Sequence, residues 1–262
     1  MKNIKCSFEL NGQSWNGQQL KRLEYERNLH LLHQLKQHRF DIMDGDKHLD
    51  DDDIDYLTMD EAWRVSIETR SCYSGEDIVA KYQKSFEKSD AMWKELGFAL
   101  DKPMKVSVCK MNVDGMSVQE YMEVLRALQT DERLVLAAHP EHFAGIVRDE
   151  TIIGIEPFGM YGTPTLVTVE VCSPEKLGDR IMQDRKADYP VVVAGLATLT
   201  DGVTQVNCPV HQFKPTDTGF EASLAVYWPE NTPDEIVEGH CVHLAMEFYE
   251  GLVYMESRRS DL

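Results

Sequence analysis

The 262-residue sequence is poor in positive charge: 27 Lys and Arg stand against 45 Asp and Glu, a net charge of −18. Nucleic acids and anionic membrane surfaces are held by basic patches, so neither is expected as a partner. No apolar run approaches the roughly 18 residues of a membrane-spanning helix. The opening residues, MKNIKCSFELNGQSWNG, lack the apolar core of about 7–15 residues that a secretory signal carries. The six cysteines, Cys6, Cys72, Cys109, Cys172, Cys208 and Cys241, form no C-x-x-C pair. A chain of this length buries a sizeable core without disulfides, so reduced thiols and a cytoplasmic location are expected. Internal repeats are also absent.

One low-complexity stretch is present, DGDKHLDDDDID at residues 44–55. Asp44 and Asp46 begin a D-x-D pattern, but a calcium loop needs glycine at its sixth position and glutamate at its twelfth. Those places hold Leu49 and Asp55, so a solvated acidic loop is expected. Upstream and downstream of it the first hundred residues read as helical. Leu20, Leu23, Leu29, Leu31, Leu32 and Leu35 fall near helical spacing. Thr58 with Glu61, and Ser117 with Glu120, have the spacing of capping boxes, and Ser74 stands as a further N-cap.

After about residue 145 the character changes. ETIIGIEPFG, TPTLVTVEV, YPVVVAGLATLT, GVTQVNCPVHQF and GFEASLAVYWP are rich in Val, Thr and Ile and are parted by Gly, Pro, Asp and Asn, the pattern of strands and turns. KPTDTG reads as a hairpin loop, and Ser173 with Pro174 as the start of a helix between strands. Thr232, Pro233 and Glu235 read as the capped start of a last helix that no proline interrupts. The expectation is an α+β fold: a mainly helical N-terminal region (1–105), then a curved antiparallel sheet covered by a long C-terminal helix (106–262), with a pocket between them.

That helix contains EGHCVHLAMEFYEG, in which His240, His243, Glu247 and Glu250 follow at spacings of three, four and three. Residues so spaced share a helix face. Ile236, Leu244 and Phe248 occupy adjoining positions, so the polar stripe lies near the buried side. An unpaired buried carboxylate costs several kcal/mol, a cost that a divalent cation removes. The plainer alternative is a surface His–Glu pair. Two further clusters offer ligands: His139 and His142 in AAHPEHFAG, and Glu170 in TPTLVTVEV. Alternation puts Leu166, Thr168 and Glu170 on one strand face and Val167, Val169 and Val171 on the other, without saying which face is inside.

AAHPEH, then Glu170 thirty-one residues after His139, then HLAMEF in a closing helix together resemble the zinc-dependent phloretin hydrolase and diacetylphloroglucinol hydrolase family, over about residues 115–256. The resemblance implies a helix-grip fold of the Bet v 1 and START kind, the metal ligands His139, Glu170, His243 and Glu247, and a homodimer. Where that family continues its helix motif with Asn-Leu, this chain has Tyr249 and Glu250 after Phe248, and His142 and His240 are additional imidazoles. The implied metal is Zn²⁺; Fe²⁺ and Mn²⁺ accept the same ligands.

The implied reaction is hydrolysis of a C–C bond between a ketone carbonyl and a phenolic ring. Two imidazoles and two carboxylates make a formally neutral zinc centre, suited to Lewis-acid work. The departing ring carbon must gain a proton, so an acid/base group is expected close by; His211, His142 and Glu250 are the candidates. Tyr161 and Tyr227 are candidates to bind phenolic oxygens of a small aromatic ketone. Two other functions fit the same residues: a non-catalytic helix-grip carrier of a small aromatic or hydrophobic ligand, and a metallohydrolase of another bond type.

Overall fold

The computed structural model describes residues 4–148, 151–159 and 163–260. Tyr161, a candidate substrate-binding residue, lies outside them. The chain opens with a hairpin of β1 (Lys5–Leu10) and β2 (Gln13–Trp15). Asn16 then caps α1 (Gly17–Gln37) in a capping box with Gln19, and Leu20, Leu31, Leu32 and Leu35 make its buried face. A two-residue ladder, β3 (Met43–Asp44) with β4 (Lys47–His48), leads into α2 (Asp51–Asp55).

The acidic stretch is therefore partly helical rather than a loop throughout. Asp50 caps α2, and its acidic first turn suits the helix dipole. Asp51 and Asp53 pair with Lys36 and Lys47 at 2.8 and 2.5 Å. The capping box expected at Thr58 opens α3 (Met59–Ser71), and the N-cap expected at Ser74 opens α4 (Gly75–Leu96), where Asp77 makes it a capping box.

The next strand, β5 (Met104–Asp114), buries alternate residues Ser107, Cys109, Met111 and Val113. Ser117 and Glu120 open α5 (Val118–Leu128), and α6 (Glu132–Ala138) follows. The second half supplies β6 (Ala144–Arg148), β7 (Thr151–Glu156) and β8 (Thr165–Val171). At Ser173–Pro174 the structure has a single 3-10 turn (Pro174–Lys176) without a side-chain cap, then the short α7 (Asp179–Gln183). Last come β9 (Val191–Leu199), β10 (Gln205–Pro215), β11 (Gly219–Pro229) and α8 (Asp234–Ser260). Among the described residues the main sheet runs β2-β1-β5-β11-β10-β9-β8-β7-β6, antiparallel throughout.

β1 pairs with β5, and Phe8, Leu10, Leu20 and Trp93 share one core with Leu224 and Leu244. The regions on either side of residue 105 are thus joined in a single sheet and a single core. A second cluster packs Leu32, Leu35, Ile78, Tyr82 and Phe86 of the N-terminal helices against Phe143, Ala144 and Ile155.

α8 begins without the expected Thr232 cap: the Thr232 hydroxyl makes no hydrogen bond among the described residues. Lys105 Nζ fixes this corner instead, donating to the Thr232 carbonyl at 2.7 Å and to Asp234 at 2.5 Å. Ile236, Leu244, Ala245, Phe248 and Leu252 of α8 are buried with Cys109, Met111, Leu224 and Val226 of the sheet. A fully buried Leu or Phe contributes about 1.5–3 kcal/mol, so this seam anchors the helix firmly. Between α8 and the sheet there remains a cavity of about 220 Å³. No helix among the described residues is long and apolar enough to cross a membrane.

Candidate metal centre

Three segments bring chemistry to that cavity. From α8, His240, His243 and Glu247 line it, as helical spacing requires. From the turn after α6, His142 lines it, with His139 and Glu141 buried behind against His243. Pro140 disfavours helical backbone at His139, which takes φ −158°, ψ 139° and ends the helix. From β7, the alternate residues Ile152, Gly154 and Glu156 line the cavity. They pair with Val169, Val167 and Thr165 of β8, so these residues share the inner face of the sheet.

The imidazoles are stacked. His243 lies between His139 and His240, with ring centroids 3.9 and 4.5 Å away, and His142 stands 5.1 Å from it. Burial, reinforced by neighbouring imidazoles, pushes the pKa values of His139, His240 and His243 well below the ordinary range. Burial takes His142 down to about 4. All four rings are therefore neutral at pH 7, and each has one protonated and one free nitrogen.

Hydrogen bonds decide which is which. The Nδ1–H of His142 donates to the Val135 carbonyl at 2.8 Å. The Nδ1–H of His243 donates to Glu141 Oε2 at 3.2 Å. Both rings thus keep a lone pair on Nε2, the arrangement usual for metal-bound histidines. His139 is the opposite: its Nδ1 accepts the Glu141 N–H at 2.9 Å, which leaves the ring proton on Nε2.

His243 Nε2 faces two carboxylates, Glu156 Oε2 at 3.6 Å and Glu247 Oε2 at 3.8 Å. Two ligands of a tetrahedral ion, each about 2.1 Å from it, stand about 3.4 Å apart. The spacing therefore suits a shared cation after a few tenths of an ångström of closure. Glu156 Oε2 is buried and makes no hydrogen bond among the described residues. Desolvation, then the Glu247 and Glu141 charges, raise the Glu156 pKa well above the usual carboxylate range. Burial brings Glu247 to about 7.

Two groups bring donor atoms within 4.8 Å of one another: His142, His243 and Glu247, and His139, Glu141 and His243. In the second, the Glu141 carboxylate is already engaged. Its Oε1 pairs with Arg27, and its Oε2 accepts the Gly159 N–H at 2.7 Å as well as the His243 proton. The buried His/Glu residues could hold a metal, and the free donors are those of His142, His243, Glu156 and Glu247.

Several sequence candidates stand elsewhere. Glu170 is exposed, because Val169 and Val171 of β8 line the cavity and alternation turns Glu170 outward. Its expected role as a ligand is thereby corrected. Glu250 has passed the cavity by a helical turn and meets α1, where Lys21 Nζ is 2.8 Å from its Oε1. Tyr227 is on the opposite sheet face from Val226 and donates to Asp184 at 3.1 Å. His211 does line the cavity: its Nδ1 is buried without a hydrogen bond among the described residues, and burial lowers its pKa to about 4. His139 and His142 both reach the centre, with the opposite nitrogen arrangements already given.

Sequence reasoning missed Glu156, Glu141, Arg27 and Arg70. A carboxylate ending the otherwise apolar TIIGIE was a readable signal for Glu156. Arg70 is buried on α3 and donates from Nη1 to the His142 carbonyl at 2.5 Å and the His139 carbonyl at 3.3 Å, which pins the ligand turn. No family model matches the chain, and a search of curated proteins finds no relative.

Proposed function

We propose that this protein is a cytoplasmic, zinc-dependent hydrolase on a helix-grip scaffold, cleaving the C–C bond between a ketone carbonyl and a phenolic ring. The observation that carries the metal part is Glu156 Oε2, buried and without a hydrogen bond among the described residues, beside His243 Nε2, which also faces Glu247. The proposed donors are His142, His243, Glu156 and Glu247. The scaffold reading is supported by the order β5, two helices, β6 to β11 and a closing helix packed on the sheet. Six unpaired cysteines agree with a reducing compartment. The choice of bond rests on the sequence resemblance.

A bound Zn²⁺ would supply Lewis-acid polarisation of a carbonyl and a place for the attacking water; Fe²⁺ and Mn²⁺ fit the same donors. The chain's own residues do the rest. The Val135 carbonyl and Glu141 hold the two ligand imidazoles in the required tautomer. Val169, Val193, Val226 and Leu244 give the cavity apolar walls that receive an aromatic ring and exclude water. No Lys or Arg lines it among the described residues, which favours an uncharged ligand over a carboxylate or phosphate. His211 Nδ1 is free to pair with a phenolic hydroxyl and is the remaining acid/base candidate outside the donor set.

The test is metal analysis of the purified protein together with an assay on acylphloroglucinols. One zinc per chain and release of a carboxylic acid with the free phenol are expected. A metal-free protein that binds aromatic ligands without turnover would make it a carrier. A zinc protein that leaves the acyl–ring bond intact but opens lactones or amides would make it a hydrolase of another bond.

A further inference from the structure

The buried pair of Arg27 and Glu141 stands behind the proposed donors rather than among them. Arg27 is on α1 and Glu141 on the turn after α6, 114 residues apart. Their side chains are 9% and 2% exposed. A buried ion pair adds little net stability, because desolvating both charges offsets their attraction. Yet every contact of this carboxylate is directed. One oxygen takes the Arg27 guanidinium; the other takes the Gly159 N–H and the Nδ1–H of His243. The Glu141 N–H, in turn, binds His139 Nδ1 and keeps that ring turned the other way.

Resting on the metal reading, we infer that Arg27 and Glu141 are positioning residues of the centre: Arg27 holds the Glu141 carboxylate, which keeps the His243 proton on Nδ1 and its Nε2 lone pair toward Glu156 and Glu247. Carboxylates behind metal-bound histidines do this generally, and losing one typically weakens metal binding about 10–100-fold. Here the support reaches back to the first helix of the chain. The N-terminal helices are thus part of the site's construction, although none of the proposed donors is on them.

Removing Arg27 alone would strand a buried charge and endanger folding. The informative variant is Arg27→Met combined with Glu141→Leu, which removes both charges and the acceptor while preserving apolar volume. Two readouts apply. In chelator-treated protein, imidazole ¹⁵N NMR should find His243 as the Nδ1–H tautomer in the wild type and shifted toward Nε2–H in the double variant. Competition with a chelating dye should show Zn²⁺ bound about 10–100-fold more weakly by the double variant. Arg27→Lys, which keeps the charge, should stay within a few-fold of the wild type, and Glu141→Gln, which keeps an acceptor oxygen, should fall between. An Nε2–H tautomer in the wild type, or a double variant with unchanged tautomer and Zn²⁺ affinity, overturns the inference. If the wild type binds no Zn²⁺, the metal reading fails, and the tautomer comparison still decides whether this pair orients His243.

Discussion

Glu247→Gln in chelator-treated protein gives the clearest measurement of the charge stored in the cavity. Without a cation, burial raises the Glu247 carboxyl from 4.5 to about 7, even though 24% of its side chain is open to the cavity. Between those values the folded state holds a proton that the unfolded chain has released. By linkage, stability is then fully present below about pH 4.5 and is lost as pH rises through about 7. A shift of that size corresponds to about 3 kcal/mol. Glutamine has no proton to lose, so the variant should be the more stable protein at pH 8 by up to that amount, about 6–12 °C in Tm for a chain of this size. At pH 5 the gap should have narrowed to about 1 kcal/mol or less. The charge removed also bears on Glu156, which adds to the effect in the same direction. With excess Zn²⁺ the order should reverse, because only the wild type keeps the full donor set; a ligand at a thousand times its Kd stabilises by about 4 kcal/mol. Thermal melts from pH 5 to 8, with chelator and with Zn²⁺, test this. A wild type whose chelator-treated Tm tracks the variant's at every pH would refute the buried-charge account.

Three further outcomes are expected. Glu170→Gln should leave bound zinc unchanged and stability within about 0.5 kcal/mol, since the side chain is exposed; loss of zinc on metal analysis would restore it as a ligand. Gly159→Ala should destabilise by more than about 1 kcal/mol in urea titration, because φ is +96° and a Cβ would stand 2.9 Å from the Gly239 carbonyl carbon. His211→Ala should lower turnover of an acylphloroglucinol about 100-fold or more with zinc content unchanged, and a variant as fast as the wild type would remove His211 from the chemistry.

The five strands β7 to β11 could be read directly because Val, Thr and Ile runs alternate with turn residues. The capping boxes at Thr58 and Ser117 were equally plain, since each is a local matter of four residues, whereas the one read at Thr232 did not form. β5 escaped, although Cys109, Met111 and Val113 alternate with Lys110, Asn112 and Asp114, because it stands alone between helical stretches. At the site, periodicity placed His243 and Glu247 together on α8 but left the strand carboxylate open. Alternation says which residues share a face, and only packing says that β8 turns its valines inward and Glu170 out. Glu156 obeys the same two-residue rhythm on the neighbouring strand. Arg27, Glu141 and His243 have no mutual sequence signal, because separations of 114 and 102 residues carry none.

Those separations have a consequence for biogenesis. The cation's nest would be walled by pieces emerging at quite different moments of synthesis, with α8 delivered last. A nascent polypeptide still lacking that helix owns neither His243 nor Glu247. On the proposed metal reading, ion capture would therefore be a late step in maturation. Such remote pairings also slow folding, so chaperone dependence during expression, relieved by added zinc, would be a natural corollary.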